Sequence, residues 1–279
     1  MSASSSSSAG REPNRRRGYV IAAGVGALAV LLAAGLVYTI AGWLGGRDDE
    51  PAPVPAPPPV AAGVETREWA SEQELADAPM LALPDAAGQP HTLTTETAGP
   101  PITLPAPGRV VGVPFPDSFP ATPEGAIAQL VAMSAAGMLG GDPADYARAH
   151  DSITEAADAP RGNRALFSVV LTNFRKNAGL PAHGPKPGLS VSWVPRAAQI
   201  KGTVGDRFVV ACVLGEFVAD YYGRVASAGM GDCQSMRRVQ VADGSEQWRI
   251  ARAMRPEQAP SPWPGTAEAV AAGYRDLAR

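Results

Sequence analysis

Histidine is nearly missing from this chain. His91, His150 and His183 are the only three, and no two stand at a ligand spacing. There are only two cysteines, Cys212 and Cys233. Zinc and similar sites need clustered Cys, His or carboxylate ligands, so no metal site is expected. No Gly-x-Ser-x-Gly elbow occurs and no Cys/His pair sits in a suitable context, which leaves nucleophilic catalysis without candidates. Gly24, Gly26 and their small neighbours lie inside an apolar run, so they do not make a phosphate loop. No cofactor is expected. Charged residues are scarce at 18%, and the net charge is −3. Such a balance argues against nucleic acid as a direct partner. No internal repeat is present.

What the chain does have is one long apolar run, Tyr19 to Leu44, with no charged residue in it. About 20 such residues cross a bilayer as a helix. Arg11, Arg15, Arg16 and Arg17 precede the run, and Asp48, Asp49 and Glu50 follow it. Cationic flanks stay cytoplasmic. The expectation is a single-pass membrane protein with a cytoplasmic N-terminus and an extracytoplasmic C-terminal domain. A cleaved signal peptide is the competing reading, but its apolar core spans only about 7–15 residues. Ala22/Gly26 and Gly42/Gly46 repeat small residues at a helix-dimer spacing. In so Ala- and Gly-rich a stretch, that spacing is expected by chance.

Pro and Gly are abundant, at 28 and 30 residues. Their excess marks non-globular stretches. Residues 1–18 read as a disordered tail and 19–44 as the membrane helix. Residues 45–108 read as a Pro/Ala-rich linker of weak order. Within it, PAPVPAPPPVAAG favours polyproline II and spans roughly 40 Å. Ser71, with Glu74 three places on, has the form of a capping box and starts a short helix.

Residues 109–255 change texture. Thr122-Pro123-Glu124 and Asp142-Pro143 are helix starts. Ile127, Leu130, Val131 and Ser134 form a stripe at helical spacing. A third helix fits Asn163 to Ala178, stopped by Gly179. Then the period becomes two. LSVSWV, AQIKGTV, Arg207–Tyr222, Met230–Ala242 and Gln247–Ala253 read as strands, with Asp243-Gly244 as a hairpin turn. Residues 256–279 read as a tail holding a short helix, AEAVAAGYRDLA, capped by Thr266. Helices followed by antiparallel strands predict an α+β fold. Three N-terminal helices would pack on a curved, cone-like antiparallel sheet.

Four sets of residues are worth following. Cys212 and Cys233 fall on neighbouring strand candidates outside the cytoplasm, where thiols pair, so a disulfide is expected. Asp220 and Tyr222 alternate along a strand, so they could share a face as an acid–base pair; a solvent-facing strand end is the expected alternative. Arg224, Arg237, Arg238, Arg249 and Arg252 make the late strands basic, either for an anionic partner or as solubilising charge. Trp193, Trp248 and Trp263 read as core or rim packing, and Met133 and Met138 as core gap-fillers.

Three features then carry a resemblance. They are TPEGAIAQL after a GVPFPDSFP lead-in, a third helix ending in a Gly-Pro-rich loop, and a meander closing in DGSEQWRIA. Together they resemble nuclear transport factor 2-like domains on single-pass actinobacterial membrane proteins. These in turn are similar to the extracytoplasmic assembly component of type IV secretion systems. The resemblance covers about residues 109–253. It implies a non-enzymatic, membrane-anchored subunit of a cell-envelope assembly, with conjugative DNA transfer as the context. Its partners would be the membrane, other transfer-machine proteins and possible further copies of itself. A wall-associated or regulatory tether is one alternative. A small-ligand binder or enzyme using the hollow of the cone is the other.

Overall fold

The helix signals work locally. In the computed structural model, which describes residues 69–155, 161–242, 244–252 and 254–278, Ser71 caps α1 (Glu72–Asp77) by accepting from the Glu74 N–H. Thr122 caps α2 (Pro123–Met138) through the Gly125 N–H at 3.1 Å. Asp142 caps α3 (Pro143–Ser152) through the Ala144 N–H at 2.9 Å. Each such cap is worth about 1 kcal/mol. The third expected helix is α4 (Leu166–Asn177). The membrane run, the N-terminal tail and the linker up to residue 68 lie outside the described residues. Among the described residues no helix is long and apolar enough to cross a membrane.

The strands are β1 (Ile102–Thr103), β2 (Leu189–Val204), β3 (Phe208–Tyr221), β4 (Arg224–Gln240), β5 (Glu246–Ile250) and β6 (Arg275–Ala278). They form one curled sheet in the order β1-β6-β2-β3-β4-β5, antiparallel except for β1 beside β6. LSVSWV and AQIKGTV prove to be one strand. Pro195 sits inside β2, and the register shifts between Pro195 and Ala197 absorb it. Bulges of this kind bend a strand without ending it. Trp193 lies flat on Gly215 of β3, where a Cβ would stand 2.2 Å from the indole. Only glycine leaves room for it.

Both faces of the sheet are covered. Val209, Ala211, Val213 and Phe217 of β3 point toward α2, α3 and α4, and join Ile127, Leu130, Met133, Phe167 and Phe174 in the larger core. Burying each such side chain stabilises by about 1.5–3 kcal/mol. Phe208, Val210, Cys212 and Leu214 point the other way, against Leu75, Ala259, Ala269 and Tyr274. Residues on both sides of 109–255 therefore pack into the same body. α1 is held to the sheet, because Arg237 of β4 bonds Glu72 at 2.5 Å and Lys201 of β2 donates to the carbonyl of Ala76 at 2.9 Å. The short helix expected after Ser71 is thus present and packed on the sheet. The C-terminal helix is shorter than expected. α5 (Ala267–Ala271) ends near Gly273, whose φ is +85°, and the chain continues as β6.

Candidate functional site

β4 is longer than its neighbour β5. β5 covers Met236 to Gln240 and stops at Ile250. Past that point the Ala251 N–H donates to the Ser235 carbonyl at 2.7 Å, the Arg252 N–H donates to Glu155 at 2.8 Å, and the chain leaves the sheet. Asp232 to Gln234 are left facing a gap rather than a strand. Ala251, Arg252 and residues 254–259 form one wall of that gap. The end of α3 and the turn at 161–166 form the other. The resulting cavity measures about 450 Å³, within the range of small-molecule sites.

The α3 wall is firmly placed. The Ile250 N–H bonds the Ile153 carbonyl at 2.8 Å, and the Glu155 N–H bonds the Ile250 carbonyl at 3.0 Å. Asp151 accepts from the N–H groups of Arg161 and Gly162 at 2.9 and 2.8 Å. Gly162 then lies so close to α3 that a Cβ would be 2.2 Å from the Ala147 carbonyl. This close approach fixes the turn that carries Arg161 and Arg164.

The floor is polar and buried. Asp232 is 2% exposed. Its carboxylate accepts from the Gln234 side-chain amide at 3.0 Å and from the Tyr146 hydroxyl at 3.3 Å. Asp232 and Gln234 share a face because they stand two apart on β4. Burial raises the Asp232 pKa to about 6, against the pull of Gln234, Tyr146 and the Arg255 charge. Burial and the Asp232 charge push the Tyr146 and Tyr274 hydroxyls up. Burial lowers His150 below the usual imidazole value, with the Asp151 charge and Gln234 opposing. Such a floor can give or accept hydrogen bonds and can take up a proton at mildly acidic pH.

The rim is basic. Arg161, Arg164 and Arg255 line the cavity and are exposed. Among the described residues none of these three guanidinium groups forms a hydrogen bond or ion pair. Arg255 is felt by Asp232 only through its charge. Of the carboxylates that line the cavity beside them, Glu257 is exposed, whereas Glu155 and Asp151 are committed. Glu155 is shared between Arg237 and the Arg252 N–H, and Asp151 holds the turn.

The residues singled out in the sequence fall elsewhere. Asp220 accepts from the Gly223 N–H at 2.7 Å and closes the β3–β4 turn. Tyr222 has φ +52° and is 65% exposed at its tip. With Gly223 at φ +82°, this is a two-residue turn with positive φ at both positions, as tight hairpins require. The pair lies outside the cavity. Arg237 is not spare charge either. It bridges Glu72 at 2.5 Å and Glu155 at 2.6 Å. Arg238 pairs with Glu246, and Arg249 donates to the Ser152 carbonyl. Arg237, Arg238 and Arg249 thus clamp the fold, while Arg224 is exposed and Arg252 lines the cavity. Trp193, Trp248, Met133 and Met138 are buried.

Cys212 and Cys233 face each other across β3 and β4 and are joined by a disulfide, with Cα atoms 4.0 Å apart. In the chain-entropy view a loop of this length stabilises by about 3 kcal/mol. Among the described residues no group of three His, Cys, Asp or Glu could hold a metal ion. Asp232 was not singled out in the sequence, because a polar residue alternating with apolar ones reads as solvent-facing. No family model, curated protein or solved structure matches this chain.

Proposed function

We propose that the chain is a membrane-anchored, extracytoplasmic subunit of a cell-envelope assembly, working without turnover, with conjugative transfer as its context. The observation that supports this most is the junction between linker and domain. The first helix after the Pro-rich stretch is fastened to the middle of the sheet by Glu72–Arg237 and by Lys201 on the helix's last carbonyls. A tether attached there passes its pull to a rigid body rather than to a loose end. The test compares full-length protein with residues 69–279 exported without the anchor, in a conjugative transfer assay. Loss of transfer with normal export supports the reading. Full transfer by the unanchored form would sink it.

One observation favours a second reading. A cavity of about 450 Å³ with a buried carboxyl, an amide and a histidine converging on it has the form of a small-ligand site. In that reading the tethered domain senses or carries a small molecule. Saturable binding by the full-length protein, absent when the cavity is filled by Ala251→Trp, supports it.

A further inference from the structure

Around this cavity, charge is distributed unevenly. Two of the negative groups on its walls are already used, Asp151 by two backbone N–H groups and Glu155 by Arg237 and the Arg252 N–H, while exposed Glu257 has no side-chain hydrogen bond among the described residues. The positive groups Arg161, Arg164 and Arg255 have no hydrogen-bonding partner among the described residues. They come from two separate segments that line the same cavity. Elsewhere the fold shows what it does with an arginine it needs. Arg175 is buried and donates to the carbonyls of Gly141, Pro181 and Gly184, and Arg237 holds two glutamates. The rim arginines perform no such work. Guanidinium forks match oxyanions, and a phosphate monoester offers three terminal acceptor oxygens where a phosphodiester or a carboxylate offers two. Beneath the mouth the walls turn apolar at Leu166, Ile250 and Met254.

Resting on the small-ligand reading, we propose that the cavity binds a small phosphate ester with a compact apolar body. Arg161, Arg164 and Arg255 hold the phosphoryl group. The body lies against Leu166, Ile250 and Met254, above Asp232. The phosphoryl group has two possible sources, a soluble monoester or the headgroup of an anionic lipid beside the anchor. The cavity's volume admits the headgroup and excludes the acyl chains.

The test titrates full-length protein in a neutral detergent with three probes, at matched ionic strength. They are benzyl phosphate, benzyl alcohol, and glycerophosphoglycerol, the tail-free headgroup of an anionic lipid. Benzyl phosphate is expected to bind at least about tenfold more tightly than benzyl alcohol. The triple variant R161Q/R164Q/R255Q is expected to lose at least about tenfold of that affinity. The corresponding triple lysine variant should recover part of it, because charge returns without the fork. These arginines are exposed, and an unchanged urea midpoint shows that a variant is folded. Tighter binding of glycerophosphoglycerol, equally lost in the triple variant, assigns the site to a lipid headgroup and supports the proposal. Equal binding of benzyl phosphate and benzyl alcohol, untouched by the variant, overturns the phosphoryl assignment and leaves a ligand cavity. Failure of all three probes overturns both.

Discussion

Two groups of arginines divide this domain. Arg175, Arg237, Arg238 and Arg249 are tied to carbonyls or carboxylates inside the fold. Arg161, Arg164 and Arg255 surround a cavity and donate to nothing among the described residues. The same side chain, at the same pH, is structural in one place and available in the other. Burial and partner count separate the two groups, and composition alone does not. In the sequence the basic strands read as either a surface for an anionic partner or ordinary solubilising charge. In the structure they are clamps, and the available charge lies on turns the sequence did not mark.

The comparison breaks most sharply at Arg175. Arg175→Ala strands the carbonyls of Gly141, Pro181 and Gly184 in the interior. Losing a buried charged donor costs about 3–5 kcal/mol, read as a lowered urea midpoint. Arg175→Lys should recover little, since one ammonium cannot reproduce the fork.

Asp232 gives the next effect, and its sign can be worked out. Its folded pKa of about 6 lies above the ordinary 3.8. The folded state therefore favours the protonated form. Stability from this group is present below pH 4 and is lost as pH rises through about 6. At 1.36 kcal/mol per unit the loss approaches about 3 kcal/mol. His150, with a lowered pKa, works in the opposite direction: its contribution is present above the ordinary imidazole value and falls away as pH drops. The check is therefore the difference between wild type and Asp232→Asn, measured by urea unfolding from pH 4 to 7. That difference should move in favour of the Asn form by up to about 3 kcal/mol over this range. A flat difference would place Asp232 in contact with water.

Arg237→Ala should cost less, about 1–2 kcal/mol, because its pairs with Glu72 and Glu155 are only partly buried and are screened. Hydrogen exchange should locate that loss at α1. Smallest of all, Asp220→Asn and Tyr222→Phe should each change stability by no more than about 0.5 kcal/mol. They occupy the exposed turn between β3 and β4, and transfer activity in the assay above should stay near normal. A loss of activity in a folded variant of either would return the acid–base reading to that turn.

Local signals made much of the fold legible. Thr122-Pro123 and Asp142-Pro143 started helices because a cap and a fixed φ act within one turn. Alternation in LSVSWV gave the strand, and Cys212 and Cys233 gave their pairing. What escaped was set by distant packing. Pro195 looked like a break and is a bulge, because β3 supplies a partner on either side of it. The segment after Gly273 looked helical and became β6, since β1 and β2 offered it edges. The cavity was invisible for the same reason: it is built from the end of α3, the turn at 161–166, β4, Ala251, Arg252 and residues 254–259. Asp232 misled because period two separates two faces and does not say which one is wet. Here both are covered.

The most direct measurement is urea unfolding of full-length wild type and R161Q/R164Q/R255Q, each with and without saturating benzyl phosphate. Without ligand the two proteins should agree within about 0.5 kcal/mol, because the side chains of the rim arginines hold nothing among the described residues. At a ligand concentration about 100 times the dissociation constant, wild type should gain about 2.7 kcal/mol, and the variant, titrated at the same concentration, far less. An unliganded variant destabilised as much as Arg237→Ala, or one stabilised by ligand as fully as wild type, would contradict the division between structural and available arginines.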